Sequence, residues 1–131
     1  MVKFLDSAAF VVFIDCWLTS SVALWINNVL VFSLLYWQVD RGGPGARAAD
    51  ERRRPDLFFT QEGAPPDAMP HGWRPSFPDY LFLAFSTATA FSPTDVVPLT
   101  LRAKMMMMLE SSISLITIVV VGARAINVLG S

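Results

Sequence analysis

Residues 79–129 read DYLFLAFSTATAFSPTDVVPLTLRAKMMMMLESSISLITIVVVGARAINVL. A short apolar segment comes first, then a turn that contains Pro93 and ends at Asp95, and then a long apolar run. A helix from Asp79 to Phe91 rises only about 20 Å, which is too short to cross a hydrocarbon core of about 30 Å, whereas the later run is long enough. This order predicts a segment that enters a membrane and returns, followed by a transmembrane helix.

The composition of the chain supports a membrane protein. Of 131 residues, 53% are hydrophobic and only 16% are charged, whereas about a quarter of the residues in a typical soluble domain are charged. The net charge of −1 provides no basic face for nucleic acid, so nucleic acid is not an expected partner. Cys16 is the only cysteine, which excludes an intrachain disulfide.

Hydropathy divides the chain into four parts. Residues 1–37 are predicted to form a first transmembrane helix, and a cleaved signal peptide is disfavoured because Asp15 interrupts the apolar run. Residues 38–75 carry six arginines and six acids among many Gly and Pro residues, which predicts a solvated loop. Residues 76–97 form the re-entrant helix and its turn, and residues 98–131 form a second transmembrane helix. The predicted fold class is an all-α membrane protein with a short re-entrant pore-type helix between two transmembrane helices.

Local signals mark where the later helices begin. Pro78 and Asp79 are typical of a helix start, Ser92 and Pro93 stop that helix, and Pro98 followed by Thr100 starts the next one. Backbone that turns back at membrane depth must be sheltered by protein or line a wet cavity, and two helices cannot shelter it alone. We therefore expect a homo-oligomer, with a tetramer favoured, or a larger membrane complex, embedded in the lipid bilayer.

The motif TATAFSPTDVVPLT, residues 87–100, resembles the pore signature of two-helix potassium-channel-like proteins. In that superfamily a Thr-rich pore helix leads into a Gly-Tyr-Gly filter, an Asp, and a Pro-x-Thr before the inner helix. The resemblance covers residues 77–129. It implies that the pore and filter positions are Thr89, Ala90, Phe91, Ser92, Pro93, Thr94 and Asp95. The chain is also similar to small bacterial membrane proteins, many of which have more helices.

The filter of this chain departs from that pattern. Ser92 and Thr94 replace the two glycines, and Pro93 replaces the aromatic residue between them. A carbonyl filter uses glycine where φ is positive, which Ser, Thr and Pro resist or forbid. The resemblance therefore implies a non-selective or atypical ion pore rather than selective potassium conduction.

Several polar residues interrupt the two predicted spans and are expensive there unless they are paired. They are Asp15, Asn27, Asn28, Glu110, Ser114, Thr117 and Arg124. In an antiparallel hairpin the helical rise brings Asp15 to the depth of Arg124, and Glu110 to the depth of Asn27 and Asn28. Two interpretations remain open: an ion or proton path through Glu110, or a polar clasp that fixes helix packing.

The sequence suggests neither an enzyme nor a cofactor. His71 has no Cys or second His nearby, and four consecutive methionines from Met105 cannot converge on one ion, so no metal site is expected. Two functions remain: an oligomeric ion-channel-like module, or a non-conducting accessory subunit of a larger complex. The expected location is the cell membrane, with more than one crossing. Lys and Arg counts place the loop in the cytoplasm, whereas the channel resemblance places it outside, so the orientation stays open.

Overall fold

The computed structural model describes residues 2–50, 53–69, 72–89 and 96–130, and most of them are helical. In chain order the elements are α1 (Val2–Val39), α2 (Pro44–Ala49), β1 (Leu57–Phe59), α3 (Phe77–Ala88), β2 (Val96–Pro98) and α4 (Leu101–Leu129). Short 3₁₀ turns cover Asp40–Gly42 and Thr60–Gly63.

The two long helices, α1 and α4, are both long and apolar enough to cross a membrane. Their most apolar windows are almost entirely exposed, with 0% and 11% of the window buried. The core helix of a soluble protein would instead bury most of its apolar side chains. The predicted pair of candidate spans is thus present in the fold.

The helical prediction applies to most of the chain, but β1 and β2 form a two-stranded antiparallel sheet that we did not predict. Leu57 pairs with Pro98 and Phe59 with Val96. Leu57 and Phe59 are each only 1% exposed, and the Phe59 ring meets the Tyr80 ring edge to face at 5.4 Å. The loop is therefore not solvated throughout, because its few apolar side chains pack against the first turns of α3.

The start of α3 follows the predicted signals. Asp79 accepts hydrogen bonds from the backbone N–H of Ser76 (2.7 Å) and from its hydroxyl (2.9 Å), and so forms a capping box. The helix extends to Ala88. The predicted end of this helix at Phe91, and the filter-like residues 90–95, lie outside the described residues.

The position of α3 between the long helices follows from its contacts. Near its start the Tyr80 hydroxyl bonds to Asp40, directly after α1. At its end the Ala88 carbonyl accepts a hydrogen bond from Ser114, thirteen residues after Leu101 and so about 20 Å along α4. Yet β2, only a few residues further on, pairs with β1 beside the start of α4. β2 therefore lies at the same end of the bundle as the start of α3.

The last helix begins three residues later than predicted, because Pro98 lies in β2. The Thr100 hydroxyl accepts a hydrogen bond from Ala103 N (3.2 Å), the N-cap interaction, and α4 begins at Leu101. The same hydroxyl donates to Asp56 (2.7 Å), so the cap also ties α4 to the loop.

After α1 the chain reverses through three consecutive residues with positive φ: Arg41 (55°), Gly42 (84°) and Gly43 (103°). This reversal directs the Arg41 N–H to Asp56 (3.2 Å). A Cβ on Gly43 would lie 2.9 Å from the Gln38 carbonyl oxygen, so glycine is required there on two grounds.

We expect Gly43→Ala to destabilise the fold by about 1–3 kcal/mol, because the substitution combines a strained φ with a backbone clash. Gly45→Ala is the matched control, since Gly45 lies in α2 and a Cβ there meets nothing within 4 Å. Alanine should change stability there by no more than about 1 kcal/mol. Thermal unfolding in detergent, followed by circular dichroism, measures both; equal melting temperatures would contradict this account of the turn.

Candidate functional site

A buried polar cluster surrounds Glu110, whose side chain is fully buried between α1, α3 and α4. The Tyr36 hydroxyl, also buried, donates a 2.6 Å hydrogen bond to Glu110 Oε2. The side chain of Thr87 on α3 lies within hydrogen-bonding reach of Tyr36. Within the part of the chain that the structure describes, Glu110 Oε1 has no hydrogen-bond partner. We call Glu110, Tyr36, Thr87 and Ser114 the Glu110 cluster.

The predicted partners of Glu110 were wrong. Asn27 is exposed, and Asn28 is buried but its Nδ2 has no hydrogen-bond partner. Tyr36 takes their place because the long phenol side chain of Tyr36 reaches Glu110 from about two turns beyond Asn28. A clasp between α1 and α4 does exist, but its donor is a phenol.

Ser114 lies one turn after Glu110 and connects the cluster to the end of α3. Its hydroxyl, 2% exposed, donates to the Ala88 carbonyl. The last carbonyls of a helix have no intrahelical partner, so this bond satisfies one that would otherwise be buried and unpaired. The end of α3 is thus attached to the same face of α4 that carries Glu110.

The polar residues of α1 (the α1 stripe) and those of α4 (the α4 stripe) do not face one another as predicted. The α4 stripe faces inward at Glu110 and Ser114, but Asp15, Thr19 and Asn27 are exposed on α1. At about 100° per residue Asn27 lies opposite the buried face that carries Phe32 and Tyr36, whereas Asp15 lies only about 60° from Tyr36. Apolar side chains occur on both sides of α1, so hydropathy alone did not determine which side packs.

The ends of the stripes also differ from the prediction. Arg124 does not reach Asp15 but places its guanidinium 5.9 Å from the centre of the Trp17 ring, a cation–π contact. Thr117 donates its hydroxyl to the Ile113 carbonyl of its own helix (2.8 Å).

A second polar cluster lies at the loop end of the bundle, around the buried carboxylate of Asp40. Asp40 Oδ2 accepts a 2.6 Å hydrogen bond from the Tyr80 hydroxyl. Asp40 Oδ1 accepts from the backbone N–H groups of Asp56 (3.0 Å) and Leu57 (3.2 Å). One side chain therefore joins the end of α1 to β1 and to α3.

Asp56, 4% exposed, makes the corresponding connection to α4. Arg102 Nη2 lies 2.6 Å from Asp56 Oδ2, Arg102 Nε lies 3.3 Å from Oδ1, and Thr100 donates to Oδ1. We call Asp40 and Asp56, with their partners Tyr80, Thr100 and Arg102, the aspartate junction.

The surroundings of the junction shift two pKa values. Burial raises the pKa of Tyr80, and its hydrogen bond to Asp40 raises it further. Burial alone would raise the pKa of Asp56, but the hydrogen bonds from Arg102 and Thr100 outweigh burial and lower it. Asp56 is therefore an ionised, fully bonded carboxylate, which suits a structural role.

One predicted pore residue, Thr89, and one predicted intramembrane polar residue, Thr117, lie together in a groove of about 610 Å³ between α1 and α4, next to the end of α3. Thr89 and Thr117 line it with Ser21 and Trp25, among apolar side chains. The Thr89 hydroxyl donates to the Phe85 carbonyl (3.0 Å) and the Ser21 hydroxyl to the Trp17 carbonyl (2.8 Å), so their oxygen lone pairs remain available to a solute.

Sequence reasoning missed Tyr36 and the whole aspartate junction. One local signal was available: Asp40 directly follows α1, where an acid is unfavourable because of the helix dipole and so needs donors nearby. The inward orientation of Tyr36 depends on the rotation of α1 about its own axis, which no local sequence signal indicates. Among the described residues, no group of three or more His, Cys, Asp or Glu side chains converges on a metal position.

Comparisons with known proteins assign the chain to no family. No protein-family model matches the chain, and neither curated proteins nor solved structures provide a match.

We expect Glu110→Leu to destabilise the protein by about 1–3 kcal/mol, because it leaves the Tyr36 hydroxyl buried without an acceptor. Ser111→Ala, at the next position, is the control and should have a smaller effect. Adding Tyr36→Phe to Glu110→Leu should recover part of the lost stability, since no buried hydroxyl is then left without a hydrogen-bond acceptor. Thermal unfolding of the parent, of Glu110→Leu, Tyr36→Phe and Ser111→Ala, and of the double variant decides this, and fully additive losses would show that the two side chains do not interact.

The lowered pKa of Asp56 predicts a specific loss of stability in acid. Because its folded pKa lies below the usual 3.8, the stability that Asp56 contributes is complete above about pH 4 and is lost as the pH falls through the folded value. Asp56→Asn should be less stable than the parent at pH 7 and should lose less on acidification. Asp67→Asn, an exposed acid of the same loop, should follow the parent curve. Parallel curves for the parent and Asp56→Asn would contradict the assignment.

Proposed function

We propose that the protein is a multi-pass integral protein of the cell membrane that assembles as an oligomer around a pore-loop-type constriction. The observation that carries this proposal is the path of α3. It begins beside Asp40, ends about 20 Å along α4 at Ser114, and is followed by β2 at the original end. In a bilayer, these positions of α3 and β2 would suit a re-entrant helix.

Uncovered surface on α3 supports an oligomer. Phe82 and Phe85 are 50% and 47% exposed on this central helix, although Tyr80 and Leu83 are fully buried. One face of α3 therefore packs on α1 and α4. Among the described residues the other face is only partly covered, since the Phe85 ring meets the Trp25 ring edge to face at 5.6 Å but both phenylalanines stay about half exposed. A re-entrant segment must be enclosed by protein, and further copies of the chain would enclose it.

The groove beside Thr89 fits this arrangement. It begins at the end of α3 and carries hydroxyl groups from three helices: Ser21, Thr89 and Thr117. In an assembled ring, such a space below the constriction would hold water and a passing solute. Since glycine is absent from the filter-like positions, we propose a pore that discriminates weakly between monovalent cations.

A second candidate function is a non-conducting accessory subunit, and the exposed polar residues of α1 favour it. Asp15, Thr19 and Asn27, the polar stripe of α1, are all exposed. Polar and small residues on a membrane helix mark contact with another helix rather than with lipid. In a simple two-helix pore the outer helix faces lipid, so this stripe indicates a further protein contact.

The deciding experiment combines oligomeric state with flux. The purified protein is reconstituted in liposomes, and potassium and sodium flux are measured for the parent and for Pro93→Gly. We expect an oligomer, a tetramer in the favoured form, with similar flux of both ions. Strong potassium selectivity in the parent would contradict the proposed constriction. A monomer without flux would reject the pore and favour the accessory subunit.

The single cysteine tests the stripe independently, because Cys16 is exposed on the same side of α1. Oxidative cross-linking of the parent in its native membrane, with Cys16→Ser as the control, reports whether two copies meet there. A disulfide-linked dimer would show that the stripe joins copies of this chain. Its absence from an oligomer that conducts would assign the stripe to a different partner.

A further inference from the structure

The feature that the proposed function leaves unexplained is the protonation of Glu110. Its carboxyl group is fully buried, it receives one hydrogen bond, and that bond comes from a neutral phenol. Its other oxygen, Oε1, has no hydrogen-bond partner among the described residues. An ionised carboxylate in such a site needs a cation or several donors, since one phenol does not compensate for the loss of hydration.

The charged and titratable groups on the surrounding elements do not supply that compensation. From α1 the group that faces Glu110 is Tyr36, a neutral donor. On α3, Tyr80 is bonded to Asp40 and Asp79 caps its own helix. On α4, Arg102 is paired with Asp56, and Lys104 is exposed more than one turn before Glu110. The described ion pairs thus leave Glu110 without a cationic neighbour.

We propose that Glu110 is a proton-binding site, occupied at neutral pH, and that loss of the proton separates α4 from Tyr36 and from the end of α3. In the neutral acid, Oε2 accepts from Tyr36 and the proton is on Oε1, where no protein donor competes. In the ionised form the carboxylate must be hydrated, so water has to enter the contact. The proton goes to bulk water, and no other group changes its charge.

The coupling to α3 follows from helix spacing. Ser114 lies one turn from Glu110 on the same face of α4 and donates to the Ala88 carbonyl. Water that enters beside Glu110 therefore disturbs the bond that holds the last turn of α3. This inference depends neither on conduction nor on oligomeric state, so it stands or fails separately from the proposed pore.

The first test is infrared spectroscopy of the purified protein in D₂O, in the region where a protonated carboxyl group absorbs. At pH 7 the parent should show this band. Glu110→Gln, which is isosteric with the neutral acid and keeps a carbonyl acceptor for Tyr36, should lose it. Asp67→Asn, an exposed acid, should retain it. A parent without the band, or a band that remains in Glu110→Gln, would overturn the proposal.

The second test measures the opening itself through a cysteine at Ala88, a residue only 1% exposed, in a Cys16→Ser background. Its maleimide labelling rate is divided by that of a control cysteine at Ala125, which cancels the effect of pH on the thiol. For a one-proton equilibrium the ionised fraction of Glu110 rises about ten-fold for each pH unit below its pKa and levels off above it. We expect the labelling ratio to follow the same curve. With Glu110→Gln the ratio should stay flat. A flat ratio for the parent up to pH 10, or an equal rise in both, would overturn the proposal.

Discussion

The Asp40 carboxylate accepts hydrogen bonds from Tyr80 and from the backbone of β1, and the positions of the other elements depend on this contact. Asp56 extends it to Arg102 at the start of α4. Removing one partner from a buried charged network of this kind typically costs about 3–5 kcal/mol. The loop has too little apolar surface to fold by itself, so this polar junction joins it to the helices.

The depth of α3 in the bundle follows from the same contact. With Tyr80 held at Asp40, the remaining turns of the helix end at the level of Glu110 and Ser114. The bundle therefore has an ionised polar layer at the loop end and a second polar layer about 15–20 Å further in. The deeper layer contains no cation among the described residues, so we assign its acid the neutral form.

Sequence reasoning identified the elements that local chemistry determines. The two apolar spans, the capped start of α3 and the N-cap at Thr100 all follow from residues within a few positions of one another. It missed the aspartate junction because Asp40, Asp56 and Tyr80 are distant in sequence, and the first two lie in a segment that reads as solvated. It selected Asn27 and Asn28 for Glu110 because helical rise compares backbone depths, whereas Tyr36 reaches its partner through a long side chain.

The central proposal is that the chain enters the bundle through α3 and returns to the same end, and sided labelling tests this proposal most directly. Single cysteines are placed at Asp67, before α3, and at Leu99, after it, in a Cys16→Ser background. Both positions are exposed, and a third cysteine at Asn127 marks the far end of α4. An impermeant maleimide is applied to sealed vesicles of known orientation. We predict that Asp67 and Leu99 are labelled from one side and Asn127 from the other. Labelling of Asp67 and Leu99 from opposite sides would contradict the account.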